Sequence, residues 1–80
     1  MKIGVIKKIA EQLSMDDLRA AEEALYNEKQ PIVDIEGEDE GEKLTHVLAA
    51  IFVKEYVSEN QVDLKAALRA YAVKVRTSIS

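Results

Sequence analysis

The sequence predicts an all-α fold, and three observations carry that prediction. Apolar residues recur at steps of three and four through most of the chain, the spacing that lines one face of a helix. Two of these runs are preceded by a helix-starting signal, an oxygen-bearing side chain followed three residues later by a carboxylate. Glycine and proline, which interrupt helices, number only three and one in 80 residues, and Pro31 and Gly37 fall between the runs.

Residues 2–13 place Ile3, Ile6, Ile9, Ala10 and Leu13 on one stripe, with Lys7, Lys8, Glu11 and Gln12 between them. Ser14 reads as the N-cap of a second helix, with Asp17 as the return partner of a capping box. Asp16 and Asp17 suit the positive end of the helix dipole. This helix is predicted from Met15 to about Asn27 and should bury Leu18, Ala21 and Leu25. The first two helices therefore meet almost without a loop, in a sharp corner or an antiparallel hairpin.

Gln30-Pro31 ends that pattern, because proline disfavours helix in the residue before it. Ile32, Val33, Asp34 and Ile35 predict a short extended segment at 32–35. Asp39 with Glu42 resembles a second capping box and opens a third helix, predicted over residues 40–57. Leu44, Val47, Leu48, Ile51, Phe52 and Val53, with Ala49 and Ala50, make this helix apolar on nearly every side, which marks the central element. Ser58-Glu59-Asn60-Gln61 should break it. Asn60 or Asp63 then caps a fourth helix with the stripe Leu64, Ala67, Leu68, Tyr71, Val75 and Ile79. The expected architecture is about four short helices packed around the third, a single domain over 1–80. Leu44, Leu48, Ile51 and Phe52 should meet Ile6, Ile9, Leu18, Leu25, Leu68 and Val75 in its core.

A chain this short buries only about 60% of the surface its unfolded form exposes. Small domains often add disulfides, a metal or a partner subunit. With no cysteine, disulfides, thiolate metal sites and thiol catalysis are excluded together, and a partner subunit becomes the expected staple. The lack of cysteine and the polar N-terminus, which has no signal-peptide character, also suit a cytoplasmic location. Leu44 to Val57 is the most apolar stretch, but it includes His46, Lys54 and Glu55 and falls short of the roughly 20 apolar residues of a membrane span.

The net charge of −4 is unevenly spread. Residues 1–13 balance to +2, residues 14–43 to −8, residues 44–63 to −2 and residues 64–80 to +4. The acidic middle argues against a nucleic-acid partner. The +4 helix could face the acidic segment of a second chain, or fold back on its own.

The acidic run 34–42 holds six carboxylates and invites comparison with a calcium loop. Counted from Asp34, however, the sixth position is Asp39 where glycine is required, and the twelfth is Thr45 where glutamate is required. The plainer reading is a solvated loop beside a helix N-terminus, so no metal is expected. His46 is the sole histidine, with Glu42 one turn earlier and Thr45 beside it. A hydrogen bond to Glu42 or to a loop carbonyl, near the surface at the start of the third helix, fits it better than catalysis. A di-iron bundle needs Glu-x-x-His on two helices, and the residue three before His46 is Lys43. No serine stands in a nucleophile-elbow context and no glycine loop precedes a lysine–serine pair, so no catalytic residue and no cofactor are predicted. Tyr26, Tyr56 and Tyr71 lie on three different helices and could cluster at one end or at an interface.

The run from Glu36 through Asp39, Glu42, Thr45 and His46 to Ala50, together with Asp17 to Leu25, resembles a family of short, acidic, uncharacterised bacterial proteins, a domain of unknown function. The resemblance implies no activity, cofactor or catalytic residue. It does direct attention to Glu42, Thr45 and His46 as a candidate functional surface.

The function expected from these readings is a small non-enzymatic protein-interaction module, a homodimer or the receptor of another protein. Val53, Tyr56, Val57, Tyr71 and Val75 are its candidate interface. The alternative is a ligand- or cation-binding regulator using the acidic loop 34–42 and His46.

Overall fold

The computed structural model describes residues 2–79, with side chains through Thr77. It contains four helices: α1 (Ile3–Gln12), α2 (Met15–Tyr26), α3 (Glu40–Asn60) and α4 (Leu64–Ile79). The Ile79 side chain, expected at the end of the α4 stripe, lies outside the described residues.

The capping chemistry starts the helices as expected. Ser14 Oγ accepts from the Asp17 amide at 3.1 Å and Asp17 Oδ2 accepts from the Ser14 amide at 3.3 Å, a complete capping box. At α3, Asp39 Oδ1 accepts from the Glu42 amide at 2.7 Å. The Glu42 carboxylate reaches past Asp39 to the Glu38 amide at 3.3 Å, so the box is shifted by one residue. Asp63 caps α4 by accepting from the Ala66 amide at 2.8 Å.

Two helix ends close in left-handed geometry without glycine. After α2, the Glu28 amide bonds the Leu25 carbonyl and the Lys29 amide bonds the Ala24 carbonyl, the paired bonds of a Schellman motif, with Glu28 at φ 57°. Gln61 closes α3 at φ 53°. That closure lies beyond the break expected after residue 57, because Ser58, Glu59 and Asn60 are exposed and neither glycine nor proline interrupts the turn. Adding a residue to an existing helix is far easier than starting one.

α3 packs against α1, α2 and α4, and α1 also touches α4. Among the described residues α1 and α2 do not pack on one another, so their junction is a corner rather than a hairpin. The Lys2 amide bonds His46 and the Ala10 carbonyl bonds Lys54, both across 44 residues, so α1 and α3 run parallel in one register.

The core gathers Ile6, Ile9, Leu18, Leu25, Val47, Ile51, Val53 and Leu68, with Leu44, Phe52 and Tyr71 partly buried against it. Leu48, expected in this core, is 38% exposed. It lies with Thr45, Glu55 and Glu59 on an exposed stripe of α3.

The segment expected to be extended at 32–35 forms no strand: the backbone bends at Ile32 and Val33. A lone segment has no ladder partner for its amides and carbonyls. Its alternation survives nonetheless, since Val33 and Ile35 turn into the core while Ile32 and Asp34 face water. The loop returns tightly over α3. A Cβ on Gly37 would stand 2.8 Å from Lys43 Cγ and 3.0 Å from its backbone nitrogen, an approach only glycine allows.

Candidate functional site

Glu42, Thr45 and His46 do not form a common surface. Thr45 is exposed and donates its hydroxyl back to the Gly41 carbonyl at 2.9 Å. Glu42 is committed to the Glu38 amide. His46, expected near the surface, is fully buried.

Both ring nitrogens of His46 are engaged. Nδ1 lies 2.8 Å from the Glu36 carbonyl, which can only accept, so Nδ1 carries the hydrogen. Nε2 lies 3.1 Å from the Lys2 amide and accepts from it. The imidazole therefore joins three segments: the N-terminal end of α1, the loop before α3, and α3 itself. Of the two partners open at the sequence level, the loop carbonyl is the one used.

Two turns along α3, Lys54 Nζ donates to the Ala10 carbonyl at 3.2 Å. That carbonyl belongs to the last turn of α1, where no intrahelical amide remains to satisfy it. His46 and Lys54 thus hold the two ends of α1, and both side chains are occupied with structure.

The acidic loop offers no assembled cation site. Among the described residues no group of three or more His, Asp or Glu side chains converges on a point that could hold a metal. Asp34 and Glu36 line a crevice against α1 together with Lys8 and Lys43, so lysines lie beside the loop carboxylates.

An apolar surface lies along α4. A groove of about 570 Å³ between α3 and α4 is lined by Phe52, Tyr56, Ala66, Ala70 and Val73, with Arg69 and Lys74 at its edge. Phe52 and Tyr56 in its lining belong to an aromatic cluster: the Phe52 ring centre lies 6.0 Å from that of Tyr56 and 5.5 Å from that of Tyr71. Lys74 Nζ sits 4.3 Å above the Phe52 ring, a cation–π contact. Burial against this cluster pushes the Tyr71 phenol above its ordinary pKa of 10.0.

Of the five residues expected at an interface, Tyr56, Val57, Tyr71 and Val75 are half-buried, with Tyr56 lining the groove. Val53 is fully buried in the core and cannot meet a partner. Tyr26 stays apart from the cluster, exposed at the end of α2. Sequence reasoning missed Ala66, Ala70 and Val73. Their i, i+4, i+7 spacing is the signal available, but it runs along the back of the stripe that Ala67 and Leu68 turn into the core.

Compared with known proteins, the chain matches along residues 1–80 a family model described as a family of unknown function (DUF6952). No curated protein and no solved structure matches it.

Proposed function

We propose, for a chain that belongs to DUF6952, a family of unknown function, a role as a small cytoplasmic, non-enzymatic protein-interaction module that receives an acidic amphipathic helix between α3 and α4. The observation that carries this reading is the groove itself. Its floor is aromatic and aliphatic, its α4 wall is built from the small side chains of Ala66 and Ala70, and its edge is cationic through Arg69 and Lys74. Small wall residues let a partner helix approach closely, an apolar floor receives its apolar stripe, and the cations meet carboxylates at the rim.

The absence of an enzymatic role is supported by the state of His46. The one imidazole that could act as a base is buried, with both nitrogens occupied by backbone groups. The cation-regulator alternative draws nothing from the geometry, because Asp39 and Glu42 serve as backbone caps and lysines neighbour Asp34 and Glu36.

Val73 is 54% exposed on the groove, so Val73→Asp places a like-minded charge where the proposed acidic helix lies without touching the core. Affinity capture from the native cell should recover a partner with the wild-type chain and with an Ile32→Asp control, and lose it with Val73→Asp. Equal recovery by all three would reject this groove as the binding face.

A further inference from the structure

A second apolar groove, of about 490 Å³, lies on the other flank of α4 against α1. Ile3, Leu68 and Ala72 form its apolar lining, and Lys7, Lys65 and Arg69 stand around it. Ile3 is 42% exposed there. Among the described residues none of these three cations meets a carboxylate within ion-pairing distance; the ion pair seen joins Arg19 to Glu55. α2 and α4 touch different parts of α3 and not each other.

The matching feature is on the acidic part of the chain. Ile32 is 104% exposed, more open than a side chain in an extended peptide. It is held rather than loose: Pro31 restricts the backbone before it, Val33 and Ile35 anchor the loop in the core, and the Glu36 carbonyl is tied to His46. An apolar knob already fixed in place loses little conformational freedom on binding. Asp34 and Glu36 follow it closely in the chain, and both are exposed.

We propose that the α1–α4 groove takes the Ile32 loop of a second copy of this chain, in a head-to-tail contact. Ile32 enters between Ile3, Leu68 and Ala72, while carboxylates of the acidic segment face Lys7, Lys65 and Arg69. The contact is heterologous, since knob and groove are different surfaces, and each copy keeps one of each available for the next. The two grooves share Arg69, but Val73 lies outside the α1–α4 groove and Ile32 lies outside the groove proposed to receive a partner helix, so these two residues separate the readings.

Sedimentation equilibrium at tens of micromolar, at low and high salt, tests it with the full chain. The wild type should show mass growing beyond a dimer with concentration at low salt, and association should weaken as salt screens the charges. Ile32→Asp alone and the pair Lys65→Glu with Arg69→Glu should each bind at least tenfold more weakly and sediment near the 8.9 kDa of a monomer. Mixed together, the two variants should form a 1:1 pair, because one keeps an intact groove and the other an intact knob. Circular dichroism checks that each is folded, and Ile32→Ser or Lys65→Ala replaces a variant that is not. A wild-type monomer throughout, association untouched by both variants, or mixing that restores nothing would each overturn the proposal. Val73→Asp should associate as the wild type does, which separates this outcome from failure of the partner-helix reading.

Discussion

His46→Ala would leave the Glu36 carbonyl and the Lys2 amide without the imidazole that joins them and would empty a fully buried site. An unsatisfied buried polar group costs about 1–3 kcal/mol. Removing a large buried side chain adds a cavity, so the expected loss is about 3–5 kcal/mol by urea unfolding. The imidazole nitrogen shifts should show hydrogen on Nδ1 and none on Nε2. A loss below about 1 kcal/mol, or the opposite tautomer, would contradict the geometry. The bond to a loop carbonyl was one of two alternatives legible in the sequence; the burial and the Lys2 amide were not. Glu42, the polar neighbour within one turn, pointed to a surface pair, whereas the partners used lie 10 and 44 residues away.

The helices were more legible, because their starts are local. Ser14, Asp39 and Asp63 each bond an amide three residues on, and such short-range chemistry can be read from spacing alone. The ends were less so. Glycine is the usual sign of a left-handed closure, and here Glu28 and Gln61 adopt that geometry without it. The left-handed conformation costs a side-chain-bearing residue roughly 1–2 kcal/mol, and glycine's extra freedom in the unfolded chain offsets roughly 0.5–1 kcal/mol of any relief. Glu28→Gly should therefore stabilise the protein by about 0.5–1 kcal/mol, while Ser14→Ala should cost about 1 kcal/mol. Thermal melts of both variants check the pair, and a destabilised Glu28→Gly would remove the strain from the end of α2.

For the molecule as a whole, everything hangs on α3, the element that all three other helices touch. Ile51 is buried on it, and Ile51→Ala should cost about 2–5 kcal/mol in denaturant unfolding. A cost under about 1 kcal/mol would make α3 peripheral. The placement of α3 also governs charge. α2 and α4 are out of contact, and Lys7, Lys65 and Arg69 remain without carboxylate partners among the described residues. No helix among those residues is long and apolar enough to cross a membrane.

By itself the sequence determined the all-α class, four helices with the starts of α2 and α3, the central place of α3 and the segregation of charge. These follow from period, capping and composition, which act over a few residues or over none. Tertiary structure decided which side of each helix met which neighbour. It buried His46 and Val53, exposed Leu48, left Ile32 standing out from its loop, and opened two grooves along α4. An apolar residue on a helix turns inward only where another element arrives to cover it. That arrival depends on contacts tens of residues apart, such as the parallel register of α1 on α3, which no local pattern encodes.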